Sequence, residues 1–150
     1  MQGLRIGGHP LHPALVHFPV VCWTAVPVLD LVYLLTRSPA WWQAGFVCLA
    51  VGVAMGLLAM CAGLMDLMAI PGDHPGEPVA QRHMLLMGSA WSVYVLVLVL
   101  HPLHGEPTSQ QVWIDLSLSV GGFLLLAAGA YAGARLVYDF GIGRNPDVQP

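Results

Sequence analysis

Histidine is the residue through which this chain could do chemistry. Seven histidines stand among five arginines, eight acidic residues and no lysine. His17 and His83 each lie about one turn inside a long apolar run. Imidazole is a standard axial ligand of haem iron and also binds zinc, copper and non-haem iron. His9 and His12 stand just ahead of the first run, in His9-Pro-Leu-His12. Asp66 closes the second run, Arg82 precedes His83, and Arg135, Tyr138 and Asp139 close the fourth. Ionisable groups at a membrane boundary are costly, so they face the bundle interior or one another. The bland role for each histidine is a cap, a turn residue or an interfacial anchor.

The elements that must position these residues are set by composition. The chain is 57% hydrophobic and 9% charged, with mean hydropathy +0.70, whereas soluble domains carry about 25% charged residues. So few charges cannot cover a water-facing surface, and a bilayer removes that need. Four stretches are long enough to span it: Ala14 to Leu35, Trp41 to Leu67, His83 to Leu100 and Val112 to about Val137. The fold class expected is therefore an all-α integral membrane protein, an up-down bundle of four transmembrane helices forming one domain over residues 1–150. Pro19 and Pro27 predict a kinked first helix. Trp41, Trp42, Trp91 and Trp113 read as interfacial anchors. The first apolar run is too long for a cleaved signal, so it stays as a helix. The net charge is −3 and no basic stripe exists, which leaves nothing for nucleic acid to bind.

Short connections make neighbouring helices antiparallel. The N-terminal segment, the loop from Met68 to Arg82 and the C-terminal tail then share one side. That side carries Arg5, Arg82, Arg135 and Arg144, against Arg37 on the other. The positive-inside rule puts it, with both termini, in the cytoplasm. The first and third helices run parallel and diagonal, so His17 and His83 meet at matched depth. A haem could lie between them, with Asp66, Tyr138 or a carbonyl holding the outer ring nitrogen and arginines pairing with propionates. His9 and His12 form a second ligand set, for another haem or a metal ion. Gly52-x-x-x-Gly56 and Gly129-x-x-x-Gly133 mark close helix packing, and leave room for the edge of a flat cofactor.

Other features carry less. Cys22, Cys48 and Cys61 lie in apolar runs without a C-x-x-C, and read as small buried residues. His101-Pro-Leu-His104 repeats four letters of the opening on the opposite side, as a coincidence or as loop chemistry. Asp30 and Asp115 are interfacial or make polar contacts between helices. No nucleophile–base arrangement, phosphate loop or catalytic carboxylate pair is found, and the size disfavours a transporter.

The opening His9-Pro-Leu-His12-Pro-Ala-Leu-Val-His17-Phe-Pro19 resembles the signature of a family of small bacterial four-helix membrane proteins, domain of unknown function 2231. Gly63-Leu-Met-Asp66 resembles its G-x-x-D at the end of the second helix. His83-Met-Leu-Leu fits the histidine opening the third. Gly133-Ala-Arg-Leu-Val-Tyr138 with Gly141-Ile-Gly143 resembles its closing motif. The resemblance implies a four-helix fold, a bacterial inner membrane and similarity to carriers of b-type haem. It carries over His9, His12, His17, Asp66, His83 and Tyr138. Where the family often has an acid, this chain has Ala134-Arg135.

The leading expectation is a membrane-bound b-type cytochrome with one or two haems, passing electrons between a quinone pool or redox protein and a partner. The axial ligands would be His17 and His83. The alternatives are a zinc, copper or iron site from His9, His12, His17, His83 and Asp66, or a structural subunit of a larger complex. A homo-oligomer fits all three.

Overall fold

The computed structural model describes residues 5–7, 9–102 and 106–143. His104 and Arg144 lie outside the described residues. A two-residue hairpin comes first, β1 (Arg5–Ile6) antiparallel to β2 (His9–Pro10). Then come α1 (Leu11–Leu15), α2 (His17–Thr36), α3 (Pro39–Met68), α4 (Glu77–Leu100) and α5 (Ser109–Tyr138). With α1 and α2 read as one span of Leu11–Thr36, four helices are long and apolar enough to cross a membrane. The fold is the all-α four-helix bundle that composition implied.

The two prolines of the first span act differently. Pro19 has no N–H for the carbonyl of Leu15, and the helix is interrupted between Leu15 and His17. Pro27 stays inside α2. It leaves the carbonyl of Trp23 without its helical donor, and the hydroxyl of Tyr94 supplies one at 3.0 Å. A proline on one helix is thus compensated by a tyrosine on the diagonal one.

The helices begin earlier than their apolar runs. Pro39 stands at the start of α3, and Thr108 caps α5 through a reciprocal pair with Gln111. Thirty residues make a helix about 45 Å long, against a hydrocarbon core of about 30 Å. The ends of α3 and α5 therefore project past it.

The helices form a ring in which α2 packs on α3, α3 on α4, α4 on α5 and α5 on α2, while α1 lies against α3. The pair α2 and α4 is diagonal. The core is built on Trp23, Val26, Leu49, Ala90, Tyr94, Val97 and Leu126. At its centre Trp23 of α2 stacks on Tyr94 of α4, with ring centres 4.8 Å apart and planes 7° from parallel. Glycines admit these rings. A Cβ at Gly52 or Gly56 would come within 3 Å of Trp23, and one at Gly122 within 3 Å of Tyr94. The outer faces are apolar and open, as at Val21, Leu35, Leu85 and Val99, which suits lipid contact. Trp41 and Trp113 are exposed as interfacial residues should be. Trp42 is instead buried, and Trp91 turns inward to donate to the carbonyl of Val53.

The bundle is two similar hairpins. His12 and His83, Trp23 and Tyr94, and Asp30 and His101 are each 71 positions apart. Gly52 and Gly122, Ala59 and Gly129, and Gly63 and Gly133 are each 70 apart. Each pair occupies corresponding positions in the two halves, and such parallel repeats are related by an axis along the membrane normal.

Candidate functional site

At the end of the bundle that carries the N-terminal hairpin, the chain brings together His12 and His83. Their ring centres are 6.3 Å apart and their planes 85° from parallel. His12 is the second residue of α1, and His83 lies in the second turn of α4. Both rings are half-buried.

The same local device holds each ring. His12 Nδ1 lies 2.8 Å from the carbonyl oxygen of Ala59 on α3. His83 Nδ1 lies 2.8 Å from the carbonyl oxygen of Gly129 on α5. A carbonyl only accepts, so each Nδ1 carries a proton, and in the neutral ring Nε2 is the nitrogen with the lone pair. Four residues on from each carbonyl is a glycine. A Cβ at Gly63 would stand 2.9 Å from His12 Cε1, and one at Gly133 3.0 Å from His83 Cε1. Only glycine lets an imidazole approach this closely to the backbone. When neutral, two imidazoles fixed in this way each offer Nε2 as a lone pair of the kind that binds a metal.

The other expected site residues are placed around this pair. His17 is exposed, its Nδ1 3.4 Å from the carbonyl oxygen of Ala14. Five residues beyond His12, at about 100° each, turn it well away from that residue's face. The pairing of His17 with His83 therefore does not form, and His12 takes that place. His9 is exposed on the hairpin. Asp66 is half-buried in the last turn of α3, one turn past Gly63. His74 is in the loop, accepting from the Gly76 N–H. Tyr138 is exposed at the end of α5. Arg135 pairs with Asp139 at 2.8 Å on the surface. The outer ring nitrogens are held by backbone carbonyls, not by Asp66 or Tyr138. Among the described residues, no three His, Cys, Asp or Glu converge to hold a metal ion. The signal that singles out His12 is the 71-residue offset it shares with Trp23 and Asp30.

A family model described as predicted membrane protein, domain of unknown function 2231, matches residues 8–146. The chain belongs to that family. The match includes both histidines, both carbonyl–glycine cradles and all four spans of this family member. No curated protein and no solved structure matches it.

Proposed function

We propose that the protein is a membrane-bound b-type cytochrome in which His12 and His83 would hold one haem. It exchanges single electrons with a quinol or a redox protein in a respiratory or redox chain. The observation that carries this reading is the spacing of two imidazoles on diagonal helices, each with its Nδ1 committed to a carbonyl. Ring centres 6.3 Å apart bring the two imidazoles close enough for one metal, at metal–nitrogen bonds of about 2 Å, to be shared between them.

When bound, haem supplies one-electron exchange at its iron. The chain's own part is to hold two neutral rings in register. Ala59 and Gly129 accept from the Nδ1 atoms, which fixes each ring's tautomer, leaves Nε2 as the metal-binding position of the neutral ring and raises its basicity. Gly63 and Gly133 keep the space beside the rings open. Arg82, exposed and next to His83, suits a propionate, whereas Arg135 would first have to leave Asp139. The excess of arginine at this end supports an orientation with the histidine pair toward the cytoplasm of a bacterial inner membrane.

The test is a visible spectrum of the detergent-purified protein, air-oxidised and then dithionite-reduced, with pyridine extraction. We expect a sharp reduced α-band and extractable haem b, both lost in His12→Ala and in His83→Ala and kept in His17→Ala. A folded preparation from haem-replete cells without Soret absorbance overturns the reading. Stoichiometric metal without porphyrin would reassign the same pair to a non-haem ion.

A further inference from the structure

At the opposite end of the bundle the polar groups are more deeply buried. Asp30 on α2, Asp115 and Ser119 on α5 and His101 at the end of α4 are all at most 3% exposed. His101 Nδ1 lies 2.8 Å from Asp115 Oδ2. Ser119 Oγ lies 3.2 Å from Asp30 Oδ2 and 3.1 Å from the carbonyl oxygen of Leu116. The faces of this cluster are accounted for helix by helix. α2 contributes Asp30 and α5 contributes Asp115. α4 contributes His101 and the Tyr94 hydroxyl, whose one proton is shared between the carbonyls of Trp23 and Ser119 at 3.0 and 3.1 Å. α3 contributes no charge, only Gly45 beside Asp30 and the rings of Phe46 and Trp42 on His101. Among the described residues, buried His101 Nε2 has no hydrogen-bond partner.

Charge decides what this cluster holds. Two carboxylates beside a neutral imidazole would leave two uncompensated negative charges in an apolar interior, which is prohibitive. Two states carry no net charge: His101 as imidazolium with Asp115 as carboxylate and Asp30 as the acid, or a neutral ring with both aspartates protonated. In both, with the Asp115 bond kept, Nε2 carries a proton. Ser119 has one hydroxyl proton for two acceptors, Asp30 Oδ2 and the carbonyl of Leu116. With Asp30 as the acid, its O–H supplies the second bond and the Ser119 proton goes to the carbonyl. The orphaned position at His101 Nε2 is then an N–H donor. Trp42 is stacked on this ring, with centres 3.9 Å apart. The same indole lines a crevice with Tyr33, Gln43, Pro102 and Glu106.

We propose that Asp30, Ser119, Asp115 and His101 form a proton-binding site that exchanges with water in the crevice behind Trp42. On release, the Nε2–H bond of His101 breaks, its electron pair stays on nitrogen, and the proton passes to water in the crevice. Uptake is the reverse. This site does not depend on the haem reading, because no group is shared with the histidine pair.

The full-length protein in detergent tests it, by nitrogen NMR of labelled histidine and by infrared spectroscopy of protonated carboxyls. At neutral pH, both ring nitrogens of His101 should carry protons, and Asp115→Asn should reduce this to one. An infrared carbonyl band of a buried carboxylic acid should disappear in Asp30→Asn and shift in Ser119→Ala, which keeps every charge. Exchanging sodium for potassium should change nothing. A neutral His101 at all pH values where exposed His9 is seen to titrate overturns the proposal. So does a carboxyl band unaffected by Asp30→Asn and Ser119→Ala, or one that follows the sodium concentration.

Discussion

The two ends of the bundle use the same ring in opposite ways. At one end His12 and His83 each place Nδ1 against a backbone carbonyl. At the other, His101 places Nδ1 against the carboxylate of Asp115. A carbonyl fixes the tautomer, so that the neutral ring presents its lone pair at Nε2. A buried carboxylate stabilises the imidazolium and makes Nε2 a donor. What the ring can do is therefore set by the acceptor behind it. The repeat sharpens the contrast. His12 and His83 occupy equivalent positions in the two hairpins, whereas Asp30 and His101, also equivalent, differ. The partner helices follow suit, with Ala59 and Gly129 both offering carbonyls, but Gly45 on one side answered by Asp115 on the other.

The largest expected effect that could break this comparison is at Asp115. Asp115→Ala strands His101 in an apolar site, and should cost about 3 kcal/mol of stability. Unfolding in mixed SDS micelles measures it. Asp115→Asn, which keeps an acceptor, should cost less, and equal stability of Asp115→Ala and wild type would remove the ion pair from the argument.

Next come the cradles. Gly63→Ala and Gly133→Ala put a Cβ about 3 Å from His12 and His83. Each should weaken haem uptake by the apoprotein about tenfold or more, measured by Soret titration. Similar losses would support equivalent roles for the two halves, and a loss at one glycine alone would separate them.

Tyr94→Phe removes the donor that serves the carbonyl freed by Pro27. A loss of about 1 kcal/mol is expected, with the spectrum of bound haem unchanged. A double variant, Pro27→Ala with Tyr94→Phe, should recover part of it, because residue 27 then has an N–H for Trp23.

The smallest effect is expected at the surface. Arg135→Ala and Asp139→Ala break an exposed pair and should stay within about 0.5 kcal/mol of wild type. A larger change in haem retention for Arg135→Ala alone would assign that guanidinium to a propionate.

Much of the fold was legible in the residues, because apolar length and scarce charge leave few alternatives to a helical bundle. The glycines of the second and fourth spans marked close approach, but not that rings rather than helix backbones would fill them. His83 was legible at the head of its span. His12 was legible as a member of a second ligand set but not as the partner of His83, because the first apolar run starts after it, whereas α1 begins at Leu11. The role of Asp30, Asp115 and His101 was also hidden, since they come from three helices.

The sequence by itself determined the medium, the number of spans and their alternating direction, because bilayer thickness and backbone hydrogen bonding depend only on local composition. Which histidines meet was decided by tertiary structure alone. A ring reaches its partner through the rotation of two diagonal helices about their own axes, and that rotation is set by where Trp23, Tyr94 and both imidazoles find glycines on the neighbouring helices.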